Sequence, residues 1–182
     1  MINKTFIEKL LRIREHICQD PFFIIIWGPG IGSESYPGQK RIKLKEFLSE
    51  EFGSDNIILP EDQSLQFLRD KYGNFAKEFY EVLSADALII IPESPGSISE
   101  VALLRGQIKD KSIIFVKSRP IDQQGFAFQV YEDLKFYAIE PEEWKTCDRI
   151  RNLTRQFIER KRIEKFLRSK RQNALGEHII FN

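Results

Sequence analysis

Residues 85–100 read Ala-Asp-Ala-Leu-Ile-Ile-Ile-Pro-Glu-Ser-Pro-Gly-Ser-Ile-Ser-Glu. An apolar run typical of a buried strand ends at Pro92, the chain turns through Pro95 and Gly96, and a helix is predicted to begin at Ser97. In open α/β sheets, ligands bind just beyond the carboxyl ends of the strands, where helix N-termini point. This stretch therefore predicts a strand–helix unit and also the place of a ligand site.

The same alternation of apolar runs and helical patterns continues along the chain. The apolar runs are continuous, as expected for strands that are covered on both faces. Strands alternating with helices predict a parallel sheet with right-handed crossovers. We therefore expect a Rossmann-like open parallel sheet of about five strands with helices on both faces, plus a basic C-terminal helix. The predicted strands are 22–27, 56–59, 87–91, 113–116 and 136–139, and the main predicted helices are 3–17, 40–52, 64–83 and 97–107.

The last part of the chain differs from the rest in charge. Residues 148–172 carry ten Lys/Arg and three Asp/Glu, although the whole chain has a net charge of only +1. We therefore divide the chain into a Rossmann-like domain, 1–145, and a basic helical extension, 146–182, which either packs on that domain or leaves it. The apolar residues of the extension change face midway, which predicts a kink or a departure from the body. Its basic residues are expected to contact nucleic acid or a partner, or to be solvated only: Arg160, Lys161, Arg162, Lys165 and Arg168.

Two further segments follow predicted strands. Gly28, Pro29 and Gly30 lie after the first strand, where ligand approach and a plain sharp turn are both compatible with the residues; the G-x-G-x-x-G and G-K-[ST] phosphate motifs are lacking. Glu61 and Asp62 follow the second strand, in a position suited to binding ribose hydroxyls. The same stretch also fits a turn in which Asp62 or Ser64 caps the next helix.

Ser97 and Glu100 also have two interpretations. Ser-x-x-Glu is the pattern of a capping box, in which the hydroxyl and the carboxylate bond to the first backbone amides of a helix. The preceding Glu93, Ser94 and Gly96 favour a ligand site instead, since glycine lets a ligand approach the backbone closely.

These motifs resemble a known group. The apolar strand followed by S-P-G-S-x-x-E, together with the Trp27-Gly28-Pro29 ending of the first strand, is similar to the nucleoside 2-deoxyribosyltransferase-like proteins and the related SLOG (lysine-decarboxylase-like, cytokinin-activating) superfamily. Related domains occur in bacterial antiphage and retron-associated proteins. The resemblance implies that Glu100 matches the glutamate acting at the anomeric carbon, and that Gly96 and Ser97 match residues contacting sugar or phosphate.

The leading hypothesis is an enzyme that cleaves or transfers at the N-glycosidic bond of a nucleoside, nucleotide or NAD-like molecule. Glu100 would act as nucleophile or stabilise an oxocarbenium-like centre, and Glu93 or Asp86 would assist proton transfer to the base. Because Asp86 starts its strand, it is also expected to form a strand-start turn away from the crevice. The alternative is a non-catalytic subunit of a bacterial defence system that senses a nucleotide or binds a partner or nucleic acid. The residues expected to hold the ligand are Gly28, Pro29, Gly30, Glu61, Asp62, Ser94, Gly96 and Ser97.

Other properties are expected from what the sequence contains. Cys18 and Cys147 have no metal-ligand spacing, so we expect no metal and no resident cofactor. The longest apolar runs are too short to span a bilayer, and no signal-peptide pattern is seen. We therefore expect a cytoplasmic protein without membrane contact, and the apolar helices favour a homo-oligomer.

Overall fold

The structure, a computed structural model, describes residues 4–30, 36–92, 95–117, 129–131 and 134–179, without the side chains of residues 6, 36, 37, 63–65, 95–97, 117 and 171–179. Its five strands form one sheet in which every neighbouring pair is parallel, in the order β2-β1-β3-β4-β5. The predicted Rossmann-like open parallel sheet is thereby confirmed. The strands are β1 (Ile24–Trp27), β2 (Ile57–Ile58), β3 (Ala87–Ile90), β4 (Ser112–Lys117) and β5 (Phe136–Ile139).

Helices cover both faces of this sheet. A 3-10 turn at Ser54–Asn56 and a helical turn at 129–131 add to them. The helices are α1 (Lys4–Gln19), α2 (Tyr36–Phe52), α3 (Gln63–Tyr72), α4 (Asn74–Ser84), α5 (Pro95–Leu103), α6 (Arg105–Ile108), α7 (Pro141–Thr146) and α8 (Asp148–Ile179).

The alternation of side chains along each strand explains why the apolar runs are continuous. Ile24 and Ile26 belong to a core shared with α2, α7 and α8, whereas Ile25 and Trp27 belong to a second core shared with α4, α5 and α6. Successive strand residues point to opposite faces, so a strand between two helical layers must be apolar at every position.

Several predicted helix boundaries are wrong: α2 begins at Tyr36 and not at residue 40, and the helix predicted over 97–107 is divided at Leu104 into α5 and α6. The single helix expected over 64–83 is two helices, because Gly73 has φ of +85° and ends α3 at Tyr72. That left-handed backbone conformation is accessible to glycine and costly for other residues. Helix α5 begins at Pro95 and not at Ser97. Proline is favoured in the first turn of a helix, where its missing N–H has no intrahelical partner to lose.

The basic extension begins with its own break. Cys147 adopts a left-handed conformation with φ of 63° and separates α7 from α8. From Asp148 to Ile179, α8 is one uninterrupted helix, so the change of apolar face is not accompanied by a helix break. Ile150 and Phe157 are buried in the core, and Ile163 is exposed. No helix among the described residues has the length and apolar character needed to cross a membrane.

Candidate active site

A cavity of about 110 Å³ lies at the carboxyl ends of β1 and β3. With the strand order β2-β1-β3-β4-β5, the chain leaves these two neighbouring strands toward opposite edges of the sheet. This is the topological switch point, where ligands bind in open α/β sheets. Five segments line the cavity, and the lining residues are Trp27, Gly28, Pro60, Glu61, Lys77, Glu78, Glu81, Ile90, Ile91, Pro92, Glu100 and Val101.

Arg41, on α2, holds the first loop of this crevice in place. Its side chain is only 1% exposed, Nε donates to the Ile26 carbonyl at 2.9 Å, and Nη1 donates to the Pro29 carbonyl at 2.8 Å. The guanidinium also donates to both carboxylate oxygens of Glu61, at 2.7 and 2.6 Å. A bidentate pair of this kind is both strong and geometrically selective. Arg41 therefore joins the carboxyl ends of β1 and β2.

Glu61 and Asp62, in the loop after β2, each have defined partners. The Glu61 carboxylate borders the cavity, but both of its oxygens already accept from Arg41. Asp62 occupies the N-cap position of α3 without making a side-chain cap bond, contrary to the capping alternative. Its carboxylate instead accepts from the Leu59 amide at 2.8 Å and pairs with Lys45 at 3.3 Å. Among described contacts, both carboxylates thus stabilise the loop after β2.

The two glycines after β1 differ in their surroundings. A Cβ placed on Gly28 would lie 3.2 Å from Arg41 Cδ and 3.2 Å from the Ile91 carbonyl oxygen, whereas one placed on Gly30 would meet nothing within 4 Å. Glycine at position 28 is therefore explained by packing against Arg41 and β3, independently of any ligand.

Helix α4 contributes a charged wall that the sequence did not reveal. Lys77 Nζ lies 2.7 Å from Glu81 Oε1, and Trp27 Nε1 donates to Glu81 Oε2 at 3.1 Å. Lys77 and Glu81 are both buried, so each charge is neutralised by the other and not by water. The sequence feature that could have indicated this wall is the opposite-charge pair Lys77 and Glu81 at i,i+4, in a helix that also carries aromatic residues.

Glu78 and Glu100 complete the cavity as carboxylates without an ion-pair partner among the described contacts. Burial first, and then the charges of Glu100 and Glu81, raise the pKa of Glu78 to about 7, against the lowering effect of Lys77. Burial, and then the charge of Glu81, also raises the pKa of Glu100. Because the charge of Glu100 helps to raise the pKa of Glu78, Glu100 is the carboxylate that ionises first, and Glu78 keeps its proton to near neutrality.

Glu100 is not part of a capping box. Helix α5 already includes Pro95 and Gly96, so Ser97 has helical backbone, whereas an N-cap residue must lie outside the helix. Glu93 and Ser94 lie outside the described residues. Gly96 and Ser97 are described as backbone only, in the first turn of α5, next to the end of β3.

Asp86 lies at the opposite edge of the sheet. It precedes β3, accepts from the Phe23 amide at 2.9 Å and pairs with Lys165 at 2.8 Å. The distance between the two ends of a strand excludes it from the crevice, so the option of Asp86 as a proton-transfer residue is wrong.

The five predicted contact residues of α8 have varied surroundings. Arg162 is buried, with its guanidinium carbon 5.1 Å from the ring centres of both Phe22 and Phe52, and is therefore not available to a polyanion. Lys165 also donates to the Pro21 carbonyl at 2.6 Å. The remaining three residues surround Glu164, at 2.6 Å for Lys161, 3.7 Å for Arg160 and 3.8 Å for Arg168. Contact of this helix with nucleic acid or a partner stays a prediction.

The chain matches no protein-family model and no curated protein sequence. The resemblance to deoxyribosyltransferase-like and SLOG proteins therefore stays a prediction. Among the described residues, no three His, Cys, Asp or Glu side chains are grouped so that they could hold a metal ion.

The Arg41 network predicts a large stability effect. Arg41→Ala should lower the free energy of unfolding by about 3–5 kcal/mol, because it leaves Glu61 and two strand-end carbonyls without their donor. Lys45→Ala is the matched control, since it removes a half-exposed pair and should cost under about 1 kcal/mol. Urea denaturation of both variants measures the difference, and equal losses would contradict the role of Arg41.

The glycines provide a second comparison. We expect Gly28→Ala to destabilise the protein by about 1–3 kcal/mol, since the added methyl group presses on the β3 backbone and on a fixed arginine. Gly30→Ala should change stability by less than about 0.5 kcal/mol. Thermal unfolding of the two variants side by side tests this order, and a stable Gly28→Ala protein would show that the loop has room.

The raised pKa of Glu78 predicts a pH dependence of stability. Between pH 4.5 and about 7 the folded protein keeps a proton on Glu78 that the unfolded chain releases, so stability falls as pH rises through this window. Glu78→Gln removes that loss and should raise the melting temperature at pH 8 by about 2–4 °C, with a smaller gain at pH 5. Equal shifts at both pH values would contradict the assignment.

Proposed function

We propose that the protein binds a nucleoside, nucleotide or NAD-like molecule in the crevice at the ends of β1 and β3 and cleaves or transfers at its N-glycosidic bond. The observation that carries this proposal is the presence of Glu100 and Glu78 in one cavity, with different affinities for a proton. Two carboxyl groups whose pKa values are pushed apart by their surroundings are the usual basis of glycosidic bond cleavage.

Glu100 acts as the nucleophile and Glu78 as the proton donor. As the bond from the anomeric carbon to the base nitrogen breaks, the Glu78 proton moves to the leaving base, and the Glu100 carboxylate bonds to the anomeric carbon. Water or a second base then attacks that carbon and displaces Glu100, and its proton passes to Glu78. Glu78 thus takes the role that the sequence offered to Glu93 or Asp86.

The size and charge of the cavity support a sugar as the group inside it. A volume of about 110 Å³ lies below the roughly 300–1,000 Å³ of pockets that enclose whole drug-sized ligands. With Lys77 paired to Glu81, Glu61 paired to Arg41 and Glu78 protonated, the Glu100 carboxylate leaves the described lining negative. A negative lining favours an uncharged sugar ring and a developing oxocarbenium ion. Any phosphate would be held outside, at the first turn of α5.

Release of free base tests the proposal. The protein is incubated with a panel of nucleosides, nucleotides and NAD, and the released base is separated chromatographically. Glu100→Gln should abolish release, by about 1,000-fold or more, because amides are poor nucleophiles. Glu78→Gln should slow the reaction by about 100-fold and remove the loss of activity that occurs in the wild type as pH rises through about 7.

The matched control is Glu142→Gln, which changes an exposed carboxylate on α7 that does not line the cavity and should leave base release unchanged. Release that is equal in the wild type and Glu100→Gln would contradict the proposed mechanism. Binding without release from any substrate would instead support the alternative, a nucleotide-sensing subunit.

A further inference from the structure

Helix α4 turns its charged side inward and its aromatic side outward. Lys77 and Glu81 are buried against the cavity. The opposite side of α4, together with the last residue of α3, carries four large side chains that are 45–59% exposed, and the ring of Phe79 anchors the same surface in the core. We call this surface the aromatic face; it consists of Tyr72, Phe75, Phe79, Tyr80 and Leu83.

The aromatic face is a continuous surface. The ring centres of Tyr72 and Tyr80 lie 6.2 Å apart in an edge-to-face arrangement, and those of Phe75 and Phe79 lie 6.4 Å apart and stacked. Phe75, Phe79 and Leu83 follow at i, i+4 and i+8, so they form one stripe about 12 Å long. The contacts within the two ring pairs hold these aromatic side chains in place before any partner arrives, which reduces the entropy lost on binding.

The area of this face matches what an interface needs. Each large aromatic side chain has about 150–250 Å² of surface, so four half-exposed side chains present about 400 Å². A standard interface buries about 800 Å² on each partner, of which slightly more than half is apolar. The aromatic face therefore supplies the apolar part of one standard interface. Exposed Arg69 and Asp70 on α3 are available for its polar rim.

We propose that a second copy of this chain covers the aromatic face, through a two-fold symmetric contact between the α3–α4 hairpins. The outward positions 75, 76, 79, 80 and 83 of α4 are Phe, Ala, Phe, Tyr and Leu, none of them charged. Two identical uncharged faces meet without like-charge repulsion, and a two-fold axis closes the assembly at two chains. At the end of α3, Lys71, whose Nζ lies 5.0 Å from the Tyr72 ring centre, and the Arg69–Asp70 pair place both signs of charge at the rim of the face. The inference stands independently of the proposed function.

Sedimentation at about 1–100 µM tests the proposal. The wild type should sediment with twice the 21.4-kDa mass of the chain. The double variant Phe75→Ser/Tyr80→Ser should dissociate at least about 100-fold more readily, because aromatic residues at the centre of an interface contribute most of its affinity. Both side chains are exposed in the single chain, so circular dichroism should show unchanged helix content.

The matched control is Leu10→Ser/Ile13→Ser, which removes two apolar side chains of similar exposure, 46% and 44%, from α1. It should sediment as the wild type does. A monomeric wild type at 100 µM would overturn the proposal. So would a Phe75→Ser/Tyr80→Ser variant that stays dimeric, or a control that dissociates as readily as this variant.

Discussion

The buried guanidinium of Arg41 is the interaction on which the crevice depends. It comes from α2 and bonds to the carbonyls that end β1 and to the carboxylate that follows β2. Strand-end carbonyls have no partner within the sheet, and a buried carbonyl without a donor is costly. One side chain therefore satisfies the backbone, neutralises Glu61 and fixes the spacing of two loops. Glycine is favoured at position 28 because a Cβ there would lie only 3.2 Å from Arg41 Cδ and from the Ile91 carbonyl oxygen.

The second constraint is the orientation of α4. A helix with an aromatic side and a charged side is expected to bury the aromatic side. In this protein the charged side of α4 is the buried one. Gly73 ends α3 and sets the direction in which α4 begins. The charged side then packs against the Trp27 indole, which donates a hydrogen bond to Glu81. The inward charges place Glu78 beside Glu100, and the outward aromatic residues make a surface suited to a partner. The candidate site and the proposed interface are thus opposite sides of one helix.

The chemistry of the site was only partly visible in the sequence. Glu100 could be singled out because it lies one turn into a helix that follows a strand ending in proline and glycine, and the structure places it in the cavity. Glu78 could not be singled out, because the opposing wall comes from a helix 22 residues earlier in the chain. Its proton affinity depends on burial and on the charges of Glu100 and Glu81, which adjacent sequence does not encode. The basic residues of α8 show the same limit, since Arg162 is buried between two phenylalanine rings.

The sequence by itself determined the class of fold, because continuous apolar runs separated by amphipathic segments can be buried only in a parallel sheet with helices on both faces. It also indicated the edge at which we propose that a ligand binds, since proline and glycine after a strand mark the strand's carboxyl end. The tertiary structure alone decided which charges meet there. Pairings such as Arg41 with Glu61 and Glu78 with Glu100 depend on the order of strands in the sheet and on the rotation of each helix about its axis. Both are set by packing over the whole chain, so no local pattern specifies them.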